Sequence, residues 1–209
     1  MSSETINPSG KRRTRQDTTD QRRREILEAA LACFLENGVA GTTIEQIRIA
    51  SKASHGSIYH LFRSKDEIAL TLFVEGMRNY HQIILRALKN ETTARGSVRA
   101  MITHHLQRVH DNPQLAIYLT RLGMADDLGE ISNRYRFLND EYVQAVWSHL
   151  EPFVERGEMV RMPPKLYIAL VIGPTTHVCR DWHRGRFDDD LFSATDNLTE
   201  AAWKSLQPN

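Results

Sequence analysis

The sequence predicts an all-α chain of about nine helices, a small N-terminal three-helix domain followed by a larger helical bundle. Three observations predict it. Apolar residues recur at three- and four-residue spacings along most of the chain. Threonine or serine stands three residues before glutamate or glutamine at Thr42, Thr43 and Ser64, the spacing of a helix-opening capping box. No stretch alternates with period two for long enough to make a strand, and no internal repeat is present.

The elements follow in order. From Asp20 onward, Ile26, Leu27, Ala30, Leu31, Phe34 and Leu35 share one helical face, and Asn37-Gly38 ends the helix. Thr42-Thr43 then open a second helix, with Ile44, Ile47 and Ala50 or Ser51 facing inward. Ser54 caps a third, on which Ile58 and Leu61-Phe62 turn inward while His55, Gly56, Ser57, Tyr59 and His60 stay near the exposed side. Ser64-Lys65-Asp66-Glu67 opens a long fourth helix through Ile68, Leu72, Phe73, Met77, Tyr80, Ile84 and Leu88. Five further helical patterns cover Ala94 to His110, Pro113 to Leu122, Asp127 to Val154, Pro164 to Arg184 and Asp189 to Leu206. Pro163-Pro164 suits a helical first turn, Asp188-Asp189-Asp190 suits the acid-favouring start of the last helix, and Pro174 is expected to kink or split the helix that contains it.

Composition narrows the function. The chain has 209 residues, 41% hydrophobic and 25% charged, as expected of a soluble globular protein. Its longest apolar run, Leu166 to Ile172, is far short of the ~20 residues of a membrane span, and Met-Ser-Ser-Glu-Thr lacks the apolar core of a signal peptide. A cytoplasmic location is expected. Cys33 and Cys179 lie in separate helical patterns and read as buried free thiols. No phosphate loop, nucleophile elbow or paired catalytic carboxylate motif appears, and His104, His105 and His110 lack the spacing of a helical metal site. Neither catalysis nor a metal is expected.

Charge is uneven. Residues 1–65 hold 11 Lys and Arg against 7 Asp and Glu, while the whole chain is only +1. Lys11, Arg12, Arg13 and Arg15 concentrate that charge on residues 1–19, read as a disordered basic arm that either solubilises the chain or reaches a polyanion. Two short helices joined by three or four residues and braced on both sides describe a helix-turn-helix over residues 20–65. The hydroxyls, imidazoles and phenol left on the second short helix suit base edges and phosphate oxygens in a major groove.

Residues 20–68 resemble the DNA-binding domain of the tetracycline-repressor (TetR) family of bacterial transcriptional regulators. The resemblance rests on ILEAALACFLENGVAGTTIEQI and SHGSIYHLFRSKDEI, the latter following a Ser-x-Gly-x-x-Tyr-x-x-Phe-x-x-Lys-x-x-Leu pattern with Ile68 last. It implies base or phosphate contacts from Thr43, Ser54, His55, Gly56, Ser57, Tyr59 and His60, and a phosphate contact from Lys65. Three positions depart from the pattern. Lys52 replaces the usual turn glycine, so it takes a positive φ at a cost of ~1 kcal/mol or the turn is built differently. Arg48 replaces a small residue, and Leu61 stands where a phosphate-contacting His or Tyr is common. Lys52 and Arg48 are candidates for phosphate contacts of their own.

The same resemblance implies that residues 66–209 form a ligand-binding and dimerisation domain, the last two helices of each protomer packing into a four-helix bundle. Within them His104-His105 with His110, Tyr118 with Arg121, Trp147, and Thr175-Thr176-His177 with Arg180 and Trp182 stand out among Leu and Ile. Each alone also reads as an exposed or satisfied core side chain. The candidate pocket is His104, Tyr118, Arg121, Trp147, Thr176, His177 and Arg180, suiting an amphipathic or weakly acidic organic effector. Leu191, Ala194, Leu198, Ala201 and Ala202 form a stripe that is the candidate dimer face. The expected function is a homodimeric regulator, a repressor that holds a palindromic operator in double-stranded DNA and is released by a small molecule. The alternatives are a DNA-binding dimer without an inducer, serving chromosome organisation or division, and a helical enzyme.

Overall fold

The computed structural model describes residues 15–123, 130–187 and 190–208. Among them are nine α-helices and a short 3-10 helix, with no strand: α1 (Arg15–Gly41), α2 (Ile44–Ser51), α3 (His55–Leu61), α4 (Lys65–Leu88), α5 (Ala94–Asp111), α6 (Pro113–Gly123), α7 (Glu130–Glu155), α8 (Pro164–His183), the 3-10 helix (Leu191–Ala194) and α9 (Thr195–Leu206). The chain divides into two compact units, residues 1–69 and 70–209, so the division falls inside α4 rather than at its first residue.

In the first unit the helix starts earlier than the apolar pattern does. Residues 15–19 already belong to α1, whose polar start is laced by three- and four-residue side-chain pairs, Arg22 Nη1 to Glu25 at 2.8 Å and Gln21 Nε2 to Glu25 at 3.0 Å. Gly38, at φ 71°, breaks the helical path where the sequence places its end. Thr42 fastens this corner, its buried hydroxyl donating to the carbonyls of Cys33 and Gly38. Ile26, Ala30 and Phe34 of α1 are buried, as are Ile47, Ile58, Phe62 and Ile68, α1 packs against α2 and α3, and Ser51 rather than Ala50 completes the inner face of α2.

In the second unit α5 packs against α6, α7, α8 and α9. Its apolar stripe, Val98, Met101, Ile102 and Leu106, joins Ile84, Leu88, Val146, Leu150, Tyr167 and Val171 in a continuous core. Pro164 sits in the first turn of α8, and that helix passes through Pro174 without splitting. Thr175 there donates its hydroxyl to the Val171 carbonyl at 2.8 Å. Asp188 and Asp189 lie outside the described residues, and Asp190 caps the 3-10 helix. Cys33 and Cys179 are buried free thiols.

A polar cluster is embedded in this apolar unit. The imidazole of His81 stacks on Tyr142 with ring centroids 4.1 Å apart, and Tyr80 Oη lies 2.8 Å from Nδ1 of His105. Burial lowers the pKa of both histidines to about 4, because a low-dielectric site penalises the imidazolium. The unfolded chain takes up these protons near pH 6.5, whereas the folded chain does not until about pH 4, so stability is lost as pH falls through that window. The Tm should fall from pH 7 to pH 4.5. In His81→Phe, which keeps a ring against Tyr142, the slope of stability should flatten by up to about 1.4 kcal/mol per pH unit. An unchanged slope by denaturant titration across that range would show that His81 does not contribute.

Candidate nucleic-acid interface and effector cavity

Each short helix of the first unit is capped as the sequence predicts. Thr43 Oγ1 accepts from the Gln46 amide, and the Gln46 side chain accepts from the Thr43 amide at 2.7 Å, a closed capping box. Ser54 Oγ accepts from the Ser57 amide at 3.1 Å. Between α2 and α3, Lys52 adopts the left-handed conformation, φ 52° and ψ 27°, that the family pattern assigns to glycine. The lysine tolerates it at a cost of about 1 kcal/mol, leaving its side chain exposed.

With Ile58 and Phe62 buried, α3 turns a polar face outward. His55, Gly56, Tyr59 and His60 are exposed, Tyr59 by 49%, and Ser54 and Thr43 are exposed beside them in the caps. The His55 and Tyr59 rings lie 4.8 Å apart. A Cβ added to Gly56 would meet nothing within 4 Å, so a phosphate or base can approach closely there. Ser57 is half-buried, its hydroxyl 2.7 Å from that of Ser54. This surface combines donors and acceptors with one accessible phenol ring and two imidazoles, the chemistry that reads major-groove edges. Arg12 and Arg13 lie outside the described residues, and Arg15 is described only as the start of the α1 backbone.

Two sequence expectations change. Arg48 is held by Glu45, Nε to Oε2 at 2.8 Å and Nη2 to Oε1 at 2.7 Å, rather than left for a phosphate. Lys65 is committed inward. Its ammonium donates to the carbonyls of Val39 at 2.9 Å, Ala40 at 2.8 Å and Thr42 at 2.9 Å. Those three bonds use all the protons of an ammonium, so Lys65 caps the corner between α1 and α2 and has no donor left for DNA.

The second unit contains a cavity of about 530 Å³. α4 contributes Met77 and Tyr80, α5 contributes His105, Arg108 and Val109, α6 contributes Ile117, Leu119 and Arg121, and α8 contributes Ile172, Thr176, Cys179, Arg180 and His183. Of the sequence-nominated pocket residues, Arg121, Thr176 and Arg180 line it. Trp147 instead packs on Tyr167, ring centroids 5.6 Å apart, against the core. Tyr118 is buried away from the lining, and His177 is exposed beside Arg180. His104 lines a separate small cleft with Asn79, Gln107 and Asp111, its Nδ1 2.9 Å from the Ala100 carbonyl. The sequence reading missed Arg108 and His183. Arg108 carried a signal, since a charged residue stands between Leu106 and Val109 at the spacing of the buried face of α5. Among the described residues no group of three His, Cys, Asp or Glu is placed to hold a metal ion, and no helix is long and apolar enough to cross a membrane.

The nominated dimer stripe is mostly internal. Leu191 and Ala194 of the 3-10 helix and Ala202 of α9 are buried within the protomer because both elements pack onto α5 and α8; Leu198 is half-buried and Ala201 exposed. The outer face of α8 carries the exposed Leu166, Ala169 and Gly173.

A capped helix pair with an exposed polar second helix, followed by a helical unit with an apolar cavity, defines a helix-turn-helix DNA-binding regulator. Residues 26–72 match the sequence pattern of the family described as bacterial regulatory proteins, tetR family. The fatty acid metabolism regulator protein of Bacillus subtilis is 22% identical over 177 residues, covering 84% of this chain and 91% of that protein. The fold is shared with a TetR family transcription regulator from Marinobacter aquaeolei, TM-score 0.77 at 17% identity over 93% of this chain and 100% of that one. It is also shared with the transcriptional regulator FadR of Bacillus subtilis in complex with stearoyl-CoA, TM-score 0.75 at 20% identity over 87% and 98%. Residues 26–72 are thus similar to the tetR family, the fold is the one that TetR family regulators share, and the chain is a DNA-binding transcriptional regulator.

The Lys65 assignment is open to direct measurement. Lys65→Met should lower the stability of the first unit by about 1.5–3 kcal/mol, the worth of hydrogen bonds to a charged group, seen as a shift in thermal or urea unfolding. Unchanged unfolding with weakened DNA binding would return the residue to the phosphate-contact role.

Proposed function

We propose that this regulator is a cytoplasmic repressor that occupies a palindromic operator as a homodimer and releases it when a small organic molecule enters the cavity of the second unit. The observation that carries the reading is the cavity itself. At about 530 Å³ it falls within the ~300–1,000 Å³ of small-molecule sites, and it touches α4, the helix whose first turn begins at Lys65, directly after α3. A ligand acts only through different affinities for DNA-competent and DNA-incompetent states, and α4 is the element placed to carry that difference. The names of the relatives, a fatty acid metabolism regulator and a FadR holding stearoyl-CoA, support an amphipathic effector. The cavity also favours this reading over a DNA-binding dimer without an inducer.

On DNA, α3 enters the major groove with His55, Tyr59 and His60 toward base edges, while Thr43, Ser54, Ser57 and Lys52 meet phosphates and Gly56 gives clearance. The basic residues Arg12, Arg13 and Arg15 follow the duplex backbone. Two such helices related by a two-fold axis read half-sites about one helical turn, ~34 Å, apart. With an operator selected from genomic fragments, Tyr59→Ala or His60→Ala should weaken binding by about 1–3 kcal/mol at fixed salt without lowering the Tm. Parallel loss of Tm would place those side chains in the core.

The dimer face is assigned to the outer side of α8, Leu166, Ala169 and Gly173, with Leu198 and Ala201 of α9. Small residues there let a helix of the second protomer approach closely. Ala169→Glu leaves the protomer core untouched but buries an unpaired carboxylate in both halves of the interface, and it should cost several kcal/mol of dimer stability. Sedimentation at micromolar concentration should show monomer, together with loss of full-operator binding. A stable dimer would move the interface elsewhere.

A further inference from the structure

The polar inventory of the cavity is one-sided. Arg108, Arg121, Arg180 and Arg184 line it together with His105 and His183, and no Asp or Glu is among the described lining residues. Arg108 is the extreme case. It is 6% exposed, and its Nε, Nη1 and Nη2 are all buried without a hydrogen-bond partner. The carboxylate one turn along α5, Asp111, attracts Arg108 across the small cleft that both line, but it is engaged by Gln107 Nε2 at 2.8 Å and by His110 Nδ1 at 3.3 Å and makes no hydrogen bond to the guanidinium. Arg180 Nε and His183 Nε2 are also buried and unpartnered across the same cavity. The rest of the wall is chiefly aliphatic and aromatic.

A guanidinium presents donors in a planar fork that matches a carboxylate or phosphate, and burying it unpaired is costly. The missing partner is therefore an anion that arrives with an apolar body. We propose that the effector of this cavity is an amphipathic anion whose acidic group pairs with Arg108, with Arg180 as the second cation, while its hydrocarbon part fills the space between Met77, Ile117 and Ile172. This rests on reading the cavity as the effector site. It goes further in fixing the charge of the ligand and the residue that selects it. Burial depresses the basicity of Arg108 more than the nearby charge of Asp111 restores it, and an incoming anion offsets that penalty.

The test uses full-length protein and matched probes: decanoate against decanol, 4-phenylbutanoate against 4-phenylbutanol, and decanoyl-CoA, each titrated by calorimetry and by operator release. The acids should bind at least about tenfold more tightly than the alcohols, and Arg108→Met should weaken acid binding about 30-fold or more while leaving the alcohols unchanged. Arg108→Lys, which keeps the charge but loses the fork, should retain part of the preference. Without ligand, Arg108→Met should raise the Tm by about 2–4 °C, because an unpaired buried cation is removed; an arginine with a structural partner would show the opposite. Arg108-dependent binding of decanoyl-CoA above decanoate assigns the anion to phosphate, and the reverse order assigns it to carboxylate. Equal binding of acid and alcohol, acid binding indifferent to Arg108, or no acid binding up to about 1 mM overturns the proposal. Arg108-dependent binding that leaves operator affinity unchanged would keep the anion site and overturn release by effector instead. Release by the alcohols alone would do the converse.

Discussion

A helix of seven residues has almost no stability of its own, and the polar surface proposed to read DNA stands on one. Everything in the first unit answers that constraint. Ile58 and Phe62 anchor α3 to the core of α1 and α2, Ser54 caps its start, and a left-handed Lys52 sets the turn that leads into it. Lys65 adds a non-local tie from the first residue of α4 to three carbonyls around the α1–α2 corner. Its ammonium satisfies acceptors that an interrupted helix leaves open, and so holds in place the scaffold on which the short helix rests. The exposed side of α3 is thereby released from any structural duty and left free to carry imidazole, hydroxyl and phenol groups.

The second unit solves a different problem. A bundle whose core is built from Ile84, Met101, Leu106, Leu150 and Tyr167 would be most stable with apolar residues at every inward position. This one keeps His81, His105 and Arg108 inside. The histidines meet the cost by staying neutral and pairing with tyrosines, through stacking on Tyr142 and the short contact to Tyr80 Oη. Arginine cannot shed its proton in the same way. A cation retained where an apolar side chain would pack better is the strongest indication in this unit that recognition, rather than folding, selects the residue.

Much of the architecture was legible because it depends on local chemistry. The capping box at Thr43, the caps at Ser54 and Ser64, the glycine break at Gly38 and the three- and four-residue apolar spacings each act within one or two turns of helix, so the all-α class, the order of helices and the exposed face of α3 could be read directly. The start of α1 was set too late because its first turns are held by polar pairs that leave no apolar signal.

What the order of residues could not decide was direction in three dimensions. Lys65 has a motif position that suggests phosphate, yet its ammonium turns to carbonyls 23 to 26 residues earlier in the chain. The stripe of Leu191, Ala194 and Ala202 has the spacing of an interface, but the 3-10 helix and α9 pack it onto α5 and α8. Trp147 and Thr176 looked alike as polar or aromatic insertions in a bundle helix, and only packing sends one to the core and the other to the cavity. The sequence by itself determined the helices, their caps and the polar helix face, since these follow from contacts a few residues apart. The tertiary structure decided which cation caps, which apolar stripe is core and which arginine is left without a partner, since each depends on helices far apart in the chain.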